Sequence, residues 1–173
     1  MRKLAFALLV LAVFAAPASA APPTKQVITQ HNVLTDEDAC GSYGVTWDIN
    51  LTATIWTFTD DEGRRTKQVA HITEDNTVAN TVTGLTLRDG PVNFVQTTFF
   101  DVATNRADKI FIVGTAVNVR RGDERLVDRG PILIDGPTRR ILWSAGPHPV
   151  REAMDGSANI ALALPAFCHI LRP

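Results

Sequence analysis

VTWDINLTATI, residues 45–55, decides the fold. Val45, Trp47, Ile49, Leu51, Ala53 and Ile55 alternate with Thr46, Asp48, Asn50, Thr52 and Thr54. A period of two places the first set on one side of an extended segment and the second set on the other. Val, Ile and Thr favour such a pleated surface because their branched side chains pack well on it. The stretch therefore predicts a long, half-buried β-strand. Trp56 and Phe58 then break the parity, which predicts a bulge or a strand crossing a barrel corner.

The pattern continues downstream. Asp60-Asp61-Glu62-Gly63 reads as a turn, Gln68–Thr73 and Thr81–Leu87 as strands, and Asp89-Gly90-Pro91 as the turn that closes the second. Val92–Val102 alternates, with Phe94 and Phe100 on one side and Val95 and Phe99 on the other. Lys109–Val119 is nearly all strand-forming, with Gly114 a kink. Arg121-Gly122-Asp123 is the next turn, and Arg129–Asp135 with Ile141–Ala145 forms a hairpin around Gly136-Pro137-Thr138. Helix is expected only at Val150–Met154 and Ile160–Leu164. Many strands joined by Gly, Asp and Asn turns predict an all-β antiparallel barrel of about eight strands, with a two-sheet sandwich as the alternative. Glycines and parity breaks inside strands, where a closing wall must bend, favour the barrel.

Upstream, residues 1–20 have the layout of a secretory signal peptide. Arg2 and Lys3 precede an apolar run from Leu4 to Ala16, and Ala18-x-Ala20 supplies the small-residue cleavage pattern. The run is too short for a membrane span. Cleavage leaves residues 21–173 as one domain, large enough to build its own core. It also takes the formal charge from −1 to −3, which argues against nucleic acid or an anionic membrane as partner. No integral membrane segment is expected after cleavage, because Ala158–Leu164 stops at Pro165.

Cys40 and Cys168 are the two cysteines, and a pair in an oxidising compartment predicts a disulfide. The alternatives, a metal site or a reactive thiol, have only His169 to draw on. His31, His71, His148 and His169 show no metal-binding spacing, and no cofactor signature is present. No nucleophile elbow surrounds a serine. The acidic runs Asp36–Asp38 and Asp60–Glu62 do not match a calcium loop. His71 alternates with Val69 and Thr73 and is the acid–base candidate if it faces a barrel interior, a solvated strand histidine being the alternative. His148, in Gly146-Pro147-His148-Pro149, is either a site residue or an ordinary turn residue. Arg121-Gly122-Asp123 spells an adhesion tripeptide, but Gly-Asp is also ordinary turn chemistry.

A cysteine near the start, Asn80-Thr-Val-Thr-Gly84, Gly130-Pro-Ile-Leu-Ile-Asp-Gly136, Ser144-Ala-Gly-Pro-His148 and a terminal Leu-Pro-Ala-Phe-Cys168 follow one another in this order. The ordering resembles a group of small secreted actinobacterial β-proteins, and thirteen Arg against four Lys is consistent with a high-GC genome. It is similar, as a fold analogy, to the allene oxide cyclase and dirigent barrels. Those motifs are turns and a cysteine pair, so they imply a fold and not a reaction.

Three functions are expected. The first is a secreted barrel binding a small apolar or amphipathic ligand, with Trp47, Trp56, Phe94, Phe99, Phe111 and Trp143 as aromatic walls, unless these only fill a core. The second is a cyclase- or isomerase-like enzyme in the same cavity. The third is a cell-envelope or host-surface interaction protein with no cavity. A cavity separates the third from the others, and a polar cluster deep within it favours the second.

Overall fold

The computed structural model describes residues 21–173, so the expected signal peptide, residues 1–20, lies outside the described residues. Eight strands form one antiparallel sheet: β1 (Thr24–Asp36), β2 (Val45–Thr59), β3 (Arg65–Asn80), β4 (Thr86–Asp101), β5 (Arg106–Arg121), β6 (Glu124–Arg129), β7 (Ile132–Asp135) and β8 (Ile141–Ser144). The first five pair in chain order. The free edge of β5 is shared, with β6 along Thr115–Arg121 and β7 along Lys109–Ile112, and β8 completes the sheet beside β7. A short helix α1 (Pro149–Glu152), a 3-10 segment (Ile160–Phe167) and a helix α2 (Cys168–Leu171) follow. The path ends at β1 and β8 without a pairing between them. The chain is thus all-β with little helix, in one sheet and not two.

Alternation in β2 places Val45, Trp47, Ile49 and Ala53 in the interior. The register runs unbroken through Trp56 and Phe58, so the parity change expected to mark a bulge instead marks side chains on the other face, and the register shifts only between Phe58 and Thr59. Gly114 lies in β5 at φ +126, where a Cβ would stand 2.5 Å from the Asn93 carbonyl oxygen. Only glycine allows the strands that approach there, and the sheet bends.

Two expected boundaries differ. Asp89-Gly90-Pro91 is not a turn but an irregular stretch inside β4, and the turn is Thr81–Leu85. Local turn chemistry gives way because Asp89 still pairs with Asn76 on one side and Val119 on the other. Arg129–Asp135 is interrupted at Gly130-Pro131, which separates β6 from β7.

The core has two parts. The larger gathers Trp47, Val78, Val117, Val119 and Val150 around Leu164, Phe167 and Leu171, so the C-terminal segment plugs one end of the curved sheet. Trp47 and Phe167 stack with ring centroids 5.0 Å apart. The smaller centres on Ile110, Ile112 and Ile132, with Phe94, Ile134 and Ile141 packed against it. The Cys40–Cys168 disulfide fastens the plug to the loop before β2. Tyr43 adds a hydrogen bond from its hydroxyl to the Cys168 carbonyl, Asn80 one from its amide to the Leu171 carbonyl at 2.9 Å, and Arg121 one to the Ile170 carbonyl at 3.3 Å. Arg121 of the adhesion-like tripeptide is thereby engaged in holding the C-terminus.

Candidate functional site

The sheet curls around a cavity of about 640 Å³. Gln30, Asn32 and Leu34 of the edge strand β1 and Ile141 of the opposite edge β8 all line it, so one face of the sheet wraps the space. The walls are aliphatic, with Ile49 and Leu51 from β2, Ile110 and Ile112 from β5, and Ile134 from β7. Trp47 and Phe94 supply the aromatic surface, and α1 with the segment after it adds Val150, Met154 and Ile160 to the lining.

Polar groups converge on this apolar space from β3, β4, β6 and α1. Asp128 is fully buried and lines the cavity. Its Oδ1 accepts from Arg151 Nη1 at 2.6 Å and from His148 Nδ1 at 3.1 Å, and its Oδ2 accepts from the backbone amides of Val150 at 3.2 Å and Arg151 at 2.9 Å. A strand carboxylate thus caps a helix that lacks a capping side chain of its own, and compensates the part-buried guanidinium. Arg151 lies 5.4 Å from the centroid of Phe94, a cation–π contact at the cavity wall. His148, the loop histidine, is buried against Asp128, with Nε2 left without a partner among the described residues.

Glu74 enters from β3, and its Oε2 accepts from Asn76 Nδ2 at 2.8 Å. Burial raises its carboxyl above the usual range; the Asn76 bond opposes this, the Asp89 charge adds to it and Arg151 offsets it. Behind Asn76 sits Asp89, fully buried and raised to about 6. Burial is the dominant cause, opposed by the Asn118 backbone amide at 2.7 Å and by Asn76 and Trp47. Even so, Asp89 Oδ2 and Trp47 Nε1 are both buried without a partner at hydrogen-bonding geometry. An apolar chamber therefore carries a carboxyl raised by burial and a guanidinium in its wall.

Of the aromatic residues expected to form walls, Trp47 and Phe94 do. Trp56, Phe99, Phe111 and Trp143 lie on the opposite, convex face, because their register partners alternate with the cavity-lining positions. Ala70 and Ile72, which face inward, flank His71, so His71 points outward; it is exposed and packs edge-on against Trp56 at 4.9 Å. It takes no place in the cavity. The sequence reading missed Glu74, Asp89, Asp128 and Arg151. The signal for Glu74 was parity, since a carboxylate shares the inward face with Ala70 and Ile72.

No family model, no curated protein and no solved structure matches this chain. Among the described residues, no helix is long and apolar enough to cross a membrane.

Proposed function

We propose that the protein is a secreted binder of a small amphipathic molecule, held in a barrel-like enclosure with its apolar body along Ile49, Ile110 and Ile112 and its polar end at Glu74 and Arg151. The observation that carries the reading is the cavity itself. Its volume of about 640 Å³ falls in the ligand range of roughly 300–1,000 Å³, and its lining is apolar with a few convergent polar groups. Glu74 accepts a donor from the ligand and Arg151 donates to an acceptor, so a neutral head with both functions fits the mixed charge better than a simple anion. The residue 1–20 pattern and the disulfide support an extracellular setting.

The test is titration with an apolar fluorescent probe, read also through Trp47 emission. Ala116 lines the cavity, so Ala116→Phe takes up part of its volume and should weaken saturable binding while the thermal transition is kept. Equal binding by wild type and Ala116→Phe refutes the reading. A second reading, an isomerase- or cyclase-like enzyme, rests on the raised Glu74 carboxyl inside the cavity. It requires that Glu74→Gln keep ligand affinity and lose turnover.

A further inference from the structure

The convex face of the sheet carries an aromatic band. Register places Trp56, Val69, Thr97, Phe111, Leu133 and Trp143 side by side in one row across β2, β3, β4, β5, β7 and β8. Five strand spacings make that row roughly 24 Å long. The next row holds Phe58, Lys67, Phe99, Lys109 and Asp135. Trp143 is 51% exposed, Phe99 43% and Val113, in the row on the other side of Phe111, 41%. A patch of this kind is a recognition surface more often than a neutral one.

Its charges narrow the partner. Lys25, Lys67 and Lys109 are the lysines among the described residues, and all three stand in these rows, Lys25 directly beside Trp56. Lys25 lies 5.9 Å from the Trp56 centroid and Lys67 lies 4.3 Å from that of Phe58. Lys109 is held between Asp135 at 3.0 Å and Asp108 at 3.3 Å. Lysine is depleted where proteins meet proteins, whereas at a lipid surface its stem lies along apolar groups and its ammonium reaches the headgroups. Shape agrees: two rigid convex faces touch only along a line, but a convex band sinks into a fluid interface. Tryptophan at headgroup depth completes the match.

We infer that the convex face docks on an anionic lipid surface, with Trp56, Phe99, Phe111 and Trp143 entering the interface and Lys25 and Lys67 meeting headgroup phosphates. The net charge of −3 expected after cleavage argues against an anionic partner for the molecule as a whole, but at physiological salt charges act over roughly 8 Å, so the local lysines decide the contact. This surface is separate from the cavity, so the inference stands whether or not the cavity binds a ligand.

The experiment is flotation of the oxidised chain from Ala21 with phosphatidylglycerol–phosphatidylcholine vesicles and with phosphatidylcholine vesicles alone. Wild type should float with the first, weakly with the second, and its exposed tryptophan emission should shift to the blue. Lys25→Gln with Lys67→Gln should lower partition onto the anionic vesicles about 30-fold at low salt, as expected for two lysines near such a surface. Phe99→Ser with Trp143→Ser should lower it on both vesicle types. Neither pair touches the interior, so thermal unfolding monitors the fold. Two results overturn the inference: no preference for anionic vesicles by wild type, or a dimer in sedimentation that Phe99→Ser with Trp143→Ser dissolves, which assigns the band to a second copy.

Discussion

Replacing Asp128 with asparagine should destabilise the protein far more than the loss of one hydrogen bond. The carboxylate is fully buried and surrounded by donors, with His148 and the Arg151 side chain on Oδ1 and the amides of Val150 and Arg151 on Oδ2. An asparagine of the same shape has one oxygen. Whichever way its amide turns, its NH2 faces one of these donor pairs, and Arg151 loses its counter-ion. Breaking a buried ion pair from one side costs about 3–5 kcal/mol. At this domain size that lowers the midpoint of thermal unfolding by roughly 6–20 °C. Urea unfolding with the disulfide intact gives the free energy directly. The double variant Asp128→Asn with Arg151→Met tests the cause, since removing both charges should cost less than the sum of the single losses by at least about 1 kcal/mol. A change within about 0.5 kcal/mol in Asp128→Asn, the range of an ordinary surface substitution, refutes the reasoning. Strict additivity refutes the pairing.

Cys40→Ala should lower stability by about 2–5 kcal/mol while leaving the sheet's circular dichroism in place, because the bond fastens the plug and not the strands; a loss of sheet signal in native buffer contradicts that division. Asp89 sets a pH slope. Its carboxyl is raised from 3.8 to about 6, so the folded chain holds this proton more tightly than the unfolded chain does. The stability from the neutral form is complete below 3.8 and is lost as pH rises to about 6, on the order of 3 kcal/mol in all. Asp89→Asn should remove this slope from urea unfolding between about pH 4 and about pH 7, and parallel profiles for wild type and variant would show that Asp89 titrates normally.

The strands were legible where the information is local. Residues 45–55 name their inward face by alternation alone, whereas the parity change at Trp56 reflects aromatic residues on the other face, the register shifting only between Phe58 and Thr59. What the sequence did not show was which aromatic residues share a face. Trp56, Phe111 and Trp143 come together only through five successive strand registers, and residue type carries no sign for inward or outward. The large aromatics were read as one wall, but parity divides them between two surfaces. The polar end of the cavity was hidden for a related reason. Asp128 and Arg151 look unremarkable in sequence and His148 reads equally as a turn residue, and their role depends on α1 folding back onto β6. Asp89 sat within what reads as turn chemistry, Asp-Gly-Pro, and only its pairing with Asn76 and Val119 shows it to be interior.

The way the plug is fastened bears on how the molecule assembles. Strands β1 to β5 each find their partner in the next stretch of chain, so this meander is able to pair progressively as the chain emerges from its N-terminus. The C-terminal segment has no such neighbour; its anchor Cys40 lies 128 residues back in the chain. The sheet is therefore the template on which the disulfide closes, and oxidation records completed assembly instead of directing it. With only two cysteines the chain has no wrong internal pairing to undo, so its maturation needs an oxidant but no isomerase.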